Sequence, residues 1–244
     1  MKLNEIFSQL TSGELSQVSI GGADAGVIPA SAYPKVLDHI NLGLTALFKR
    51  FHLKEGRVKI ELQEQLQLYP LNSIYAVSNP KTAPFKFIKD SADAKFQDDV
   101  VKVEQVFTDD GTELVLNDKS NPLSVTTPSL QSLRVPPEIL LGTVPELATT
   151  HLEIVYRANH PKLKVPLGYF DPTRVEVSLP DSHLLALCYF VASRAHAPIG
   201  MREEFNASNN FYAKYEAECS QLENDGIEVD QGVGNFRLLR NGWV

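Results

Sequence analysis

Apolar residues recur along this chain at two different periods, and the change of period divides it. Leu3, Ile6, Phe7 and Leu10 follow spacings of three, one and three, which puts them on one face of a short helix over about 3–10. The small residues of 21–26 then read as a loop. Val36, Leu37, Ile40, Leu44, Leu47, Phe48 and Phe51 return at threes and fours and predict a helix over about 34–52. Pro34 suits its first turn, where a missing N–H is no loss. Lys35, Asp38, Asn41 and Lys49 are expected on its exposed side. Gly43 in the middle costs about 1 kcal/mol relative to Ala. A close approach by a neighbouring backbone is one reason to keep it.

The period then drops to two. Val58, Ile60 and Leu62 alternate with Lys59, Glu61 and Gln63, and Leu66 and Leu68 keep the same parity, as in a half-buried strand. Val101, Val103, Val106 and Phe107 lead into Asp109-Asp110-Gly111, with Leu114-Val115-Leu116 beyond, a hairpin signal. Prolines at 122, 128, 136, 137 and 145 limit 118–150 to loops and short edge strands. Leu152, Ile154 and Tyr156 alternate again, and so do Val175, Val177 and Leu179. A β-rich region over about 55–179 is expected.

Helical spacing resumes after Pro180-Asp181-Ser182. Residues 181–196 predict a helix that is apolar nearly all round and so buried on most sides, in a core or between subunits. Leu184, Leu187, Phe190 and Val191 are its candidate packing residues. Pro198 and Gly200 interrupt the pattern, and a last helix is expected over about 201–225. Its seam is Phe205, Ser208, Tyr212, Tyr215, Cys219 and Leu222, with Tyr212 and Tyr215 as packing residues toward a neighbouring helix or subunit. Gly226 is a natural stop. Residues 227–244 have no helical period. From 232 on they hold the only Trp and two arginines, and no acid. Trp and Arg are common anchors of interfaces. This stretch reads as an arm that docks, either on another chain or back on its own body. Phe236, Leu238, Leu239 and Trp243 would fill apolar pockets, and Arg237 and Arg240 would pair with carboxylates. The expected architecture is α+β: a helical bundle from N- and C-terminal helices (1–226 as one domain), an inserted antiparallel β subdomain, and an extended C-terminal arm at 227–244.

Composition narrows the function. A net charge of −7 opposes binding driven by neutralising phosphates. The longest apolar run, 184–192, falls short of the roughly 18 residues a membrane span needs. The first residues lack the apolar stretch of a secretory signal, so a soluble protein made in the cytoplasm is expected. Cys188 and Cys219 lie in helical patterns far apart and are expected as buried free thiols. No phosphate-cradling glycine loop or serine elbow occurs in the sequence. His151 and Glu153 have the spacing of zinc deaminases without the partner cysteines. The aspartate pairs at 98–99 and 109–110 lack the glycine and glutamate of a calcium loop. No catalytic residue, metal or cofactor is therefore expected, although an enzyme site scattered through the sequence would leave no such trace.

Several segments together resemble the head-to-tail adaptors of tailed bacteriophages, the tail-tubular-A-like connectors of short-tailed phages. They are Pro34-Lys35-Val36-Leu37 with Ile40-Asn41-Leu42-Gly43-Leu44 and Leu47-Phe48-Lys49-Arg50-Phe51; Val155-Tyr156-Arg157-Ala158-Asn159-His160-Pro161; Leu184-Leu185-Ala186-Leu187 with Val191-Ala192-Ser193-Arg194; and Tyr215-Glu216-Ala217-Glu218-Cys219. The resemblance implies a non-enzymatic virion protein. It would form a ring, usually dodecameric, beneath the portal protein and join it to the tail nozzle or tail tube. DNA would pass through its channel without specific binding, and the C-terminal arm would reach the portal. The acidic balance suits such a channel. The β region does not align with the family residue by residue. Other expectations compatible with the residues are a different tail-completion or fibre-attachment subunit, or a small-molecule-binding or hydrolytic enzyme with a scattered site.

Overall fold

In the computed structural model, residues 1–16, 18, 24–81, 83–165, 170–196 and 202–226 are described, with the backbone alone for 202–205. In chain order the elements are α1 (Leu3–Ser12), α2 (Tyr33–Arg50), β1 (Glu55–Glu61), β2 (Leu68–Pro70), β3 (Ile88–Lys89), β4 (Val100–Thr108), β5 (Thr126–Ser129), β6 (Ser132–Arg134), α3 (Pro137–Leu140), β7 (His151–Ala158), α4 (Leu184–His196) and α5 (Arg202–Asn224). The described residues thus form an α+β protein with two antiparallel sheets. They divide into a helical unit, residues 1–51 with 160–226, and a β unit, His52–Asn159.

The helical unit forms because its apolar positions make stripes. α1 buries Leu3, Ile6, Phe7 and Leu10, the four residues of its sequence pattern. α2 begins after a 3-10 turn at Ala30–Ala32, with Pro34 in its first turn, and buries Val36, Leu37, Ile40, Leu44, Leu47 and Phe48. α4 packs against α1, α2 and α5. α5 stops where Gly226 takes φ +64°, a left-handed turn that a side chain would resist.

Two features of this unit differ from the sequence reading. Asn41 is buried: its amide nitrogen donates to the Leu163 carbonyl (2.9 Å) and its oxygen accepts from the Leu163 N–H (2.9 Å). A polar residue at a helix-facing position looks exposed until a returning backbone segment satisfies both halves of its amide. His160 is also buried, its Nδ1 2.7 Å from the Pro161 carbonyl. Second, Val175–Leu179 forms no strand. Val177 and Leu179 are buried as their alternation suggests, but among the described residues the long-range backbone bonds of this segment go to the first residues of the chain. Leu3 donates to Val175, Val177 donates to Met1, and Lys2 and Glu176 form an isolated bridge. Helix α1 begins at Leu3, so no ladder can extend.

The β unit ends at Asn159 rather than near 179. Its larger sheet has the order β3-β1-β7-β4 and its smaller sheet β2-β6-β5, all antiparallel. Both contribute to one core that includes Ile60, Tyr69, Phe87, Val106, Leu133 and Ile154. β1 and β7 pair along their whole length, from Glu55↔Arg157 to Glu61↔His151. The strand that the parity of Leu66 and Leu68 predicts breaks after Glu61. A turn closes with Leu66 donating to Gln63, and Leu68 enters the other sheet, 39% exposed. The Asp-Gly turn does form at Gly111, but the returning limb makes only single bridges, Phe107↔Glu113 and Leu116↔Val125. β4 takes β7 as its ladder partner instead, with two register shifts.

Asp109 fastens this end of the sheet. Its carboxylate accepts from the hydroxyls of Thr149 and Thr150 (3.1 Å each) and the His151 N–H (3.0 Å), with Lys59 Nζ at 3.1 Å. Burial opposes its ionisation, but Lys59 and the threonine and amide donors outweigh it. The carboxyl is held well below the usual carboxylate range.

Candidate interaction surface

The sequence-predicted packing residues converge on the α4–α5 pair, and Gly43 of α2 explains how α2 joins it. A Cβ at Gly43 would sit 2.7 Å from Leu187 Cδ1 and 3.0 Å from Phe190 Cδ1. The glycine makes room for two side chains of α4, not for a backbone. Leu187, Phe190 and Val191 are buried, and Leu184 is half-buried. On α5, Tyr215, Cys219 and Leu222 are buried, and the Tyr215 ring meets Phe190 edge-on at 5.3 Å. The Ser208 hydroxyl donates to the Ser193 carbonyl (2.8 Å), so this seam faces α4. Phe205 is outside the residues whose side chains are described.

Tyr212 departs from its seam. It is 44% exposed, with its ring leaning on Tyr215 at 5.7 Å. At 100° per residue Tyr212 lies at the edge of the stripe that holds Tyr215, Cys219 and Leu222, so its side chain is only partly covered. The thiols are buried and free. Burial pushes Cys188 up to about 12 and Cys219 up to about 11, which leaves both as unreactive thiols at neutral pH.

One contact of this unit had no clear sequence signal. Arg50, at the end of α2, grips α5 through two glutamates. Its Nε and Nη2 meet the two carboxylate oxygens of Glu223 at 2.7 and 3.2 Å, and its Nη1 meets Glu216 at 2.6 Å. The spacing of seven between these glutamates, one face of a helix, was the only hint.

The apolar girth of α4 is mostly used inside its own unit. What remains outward is a band of aromatic rings and cations. Leu185 is 36% exposed, and Tyr189 is half-buried beside Phe211 with ring centres 6.4 Å apart. His196 stacks on Phe211 at 5.2 Å. Lys214 Nζ lies 5.2 Å from the Phe211 ring and 5.7 Å from that of Tyr189. Aromatic rings are enriched at contact surfaces, and here the Lys214 ammonium lies over two of them. His39 of α2 is half-buried, and among the described residues neither of its ring nitrogens has a hydrogen-bond partner. Burial, then Lys35 and Arg194, lower its pKa and favour the neutral ring.

The expected docking residues Phe236, Arg237, Leu238, Leu239, Arg240 and Trp243 lie outside the described residues. Among the described residues no three His, Cys, Asp or Glu side chains are grouped to hold a metal, and no helix is long and apolar enough to cross a membrane. No protein-family profile and no curated protein matches the chain.

Proposed function

We propose that the protein is a head-to-tail adaptor of a tailed bacteriophage: a structural, non-enzymatic subunit that forms a ring on the portal protein and joins it to the tail nozzle or tube. The observation that carries this reading is the division of the chain. A helical unit is assembled from both ends of the sequence, an antiparallel β unit occupies 52–159 between them, and an apolar, basic stretch follows α5. We read the helical unit as the bundle of the adaptor and residues 232–244 as its portal-docking arm. The band at Leu185, Tyr189 and Phe211 supports a contact with a neighbouring subunit. The net charge of −7 supports a channel that DNA crosses without sticking. The ring is expected to be dodecameric, at the head–tail junction of the virion, without cofactor or metal.

Electron microscopy of the purified protein mixed with its candidate portal tests the reading. Rings seated on the portal, and a fixed copy number relative to portal in purified particles, are the expected result. A protein that stays monomeric beside the portal and is absent from particles would refute it.

A further inference from the structure

The larger sheet of the β unit has a gap in its hydrogen bonding. β1 is paired along its full length on the β7 side, but β3 meets it only at Lys59↔Lys89 and Ile60↔Ile88. Residues of an antiparallel strand point their N–H and C=O groups alternately to the two sides. Leu62 donates to Thr150 and Lys54 accepts from Ala158, both on the β7 side, whereas Glu61 donates to Phe87 on the β3 side. Glu55 and Arg57 share the parity of Glu61. Their backbone groups therefore face the side from which β3 has departed. Beyond Lys89 the chain is pulled away at Asp90, whose carboxylate holds the Ser78 N–H (2.8 Å), the Ser78 hydroxyl (2.5 Å) and the Phe96 N–H (3.0 Å).

The space left beside β1 is a cleft of about 580 Å³. Five cations line it, Lys54, Arg57, Lys59, Lys89 and Lys95, against two acids. Both acids are engaged: Asp90 as above, and Asp99 with Lys54 (2.7 Å) and the Tyr156 hydroxyl (3.0 Å). Arg57, Lys59 and Lys89 have acidic partners on the sheet but are 61%, 52% and 39% exposed, so each keeps donors for another carboxylate. Lys95 makes no ion pair among the described residues. On the opposite face of β1 the lining is apolar, with Val58, Phe96 and Tyr156. A strand added here needs acids on one face and apolar side chains on the other.

One stretch of this chain outside the described residues has that alternation. Residues 227–231 read Ile-Glu-Val-Asp-Gln. Extended, they put Ile227 and Val229 on one face and Glu228 and Asp230 on the other. The following 232–244 contain no acid and do not suit a cationic cleft. We propose that the open edge of β1 takes up residues 227–231 of a second copy of this chain as an added strand, with Glu228 and Asp230 beside Arg57, Lys59 and Lys89. The choice of a second copy rests on the ring reading. Donor and acceptor are different parts of the chain, so every copy can give and receive, and such head-to-tail contacts close into rings. The arm then has two parts, one for the neighbour and one for the portal.

Full-length proteins carrying single cysteines test this, since the native thiols are buried. Arg57→Cys protein is mixed with Glu228→Cys or Asp230→Cys protein and mildly oxidised. The expected product is a two-chain disulfide with at least one donor position and none with Lys119→Cys as the acceptor. A synthetic peptide spanning 225–232 should compete, and the same peptide with Glu228→Lys and Asp230→Lys should not. Lys59→Glu with Lys89→Glu in the acceptor should cut the yield about tenfold or more, through like-charge repulsion. No two-chain product with either donor, equal product with the Lys119→Cys control, or a disulfide that forms only within one chain when both cysteines are placed together would each overturn the inference. Portal binding of the unmodified protein, scored separately, decides the adaptor reading. Rings on the portal without the cross-link would sink the strand addition alone.

Discussion

Gly43 shows how one atom decides a helix contact. In an exposed helix Gly→Ala would stabilise by about 1 kcal/mol. Here the new methyl would sit 2.7 Å from Leu187 Cδ1, a movable tip, and 3.0 Å from the Phe190 ring, which moves less. The two effects nearly cancel, so Gly43→Ala should change urea-unfolding stability by less than about 1 kcal/mol, whereas Gly43→Val should lose about 1–3 kcal/mol by overpacking. Equal stability of all three proteins would show that α4 is not seated there. Asp109 makes a prediction in pH. Its folded pKa is depressed, so its contribution is present above the ordinary carboxyl value of about 3.9 and is lost as pH falls below it. Between about pH 5 and 3 the melting temperature of Asp109→Asn should therefore fall less steeply than that of the unmodified protein. Parallel curves would mean that the Thr149–Thr150–Lys59 cluster does not hold an ionised carboxylate.

Among elements, α4 carries the most consequence. Leu187 is fully buried against the Gly43 gap, so Leu187→Asp would place an unpaired carboxylate in the core, at a cost of several kcal/mol. The variant should fail to fold. A soluble, normally helical variant by circular dichroism would contradict the packing. The Arg50 clamp is weaker, because its glutamates are 44% and 42% exposed. Arg50→Ala should cost only about 1 kcal/mol, and less in high salt. A loss unchanged by 1 M salt would point to packing of the arginine stem, not to the ion pairs.

For the whole molecule, the two compositions of the arm should separate in function. Deleting 232–244 should leave helical content and melting temperature nearly unchanged while portal binding falls sharply. Unfolding of the truncated protein would make that stretch part of its own core. Full-strength portal binding would move the docking site to the body.

Helix identity, the α+β class and most of the core were legible in the amino-acid order, because burial of one face imposes a period that side-chain chemistry records directly. The stripe Leu3–Ile6–Phe7–Leu10 and the alternation Leu152–Ile154–Tyr156 needed no neighbour to be read. Partners at long range were not legible. Asn41 looked exposed because its two hydrogen bonds come from Leu163. The role of Arg50 left no local trace because its glutamates lie on another helix. Val175–Leu179 alternates like a strand, yet among the described residues it meets just the first residues of the chain, through a single bridge. The cleft beside β1 exists because β3 ends after two residues, which no local pattern signals. Periodicity reports which face of an element is buried; what it is buried against, and where a sheet stays open, depend on contacts between residues far apart in sequence, and only the tertiary structure decides those.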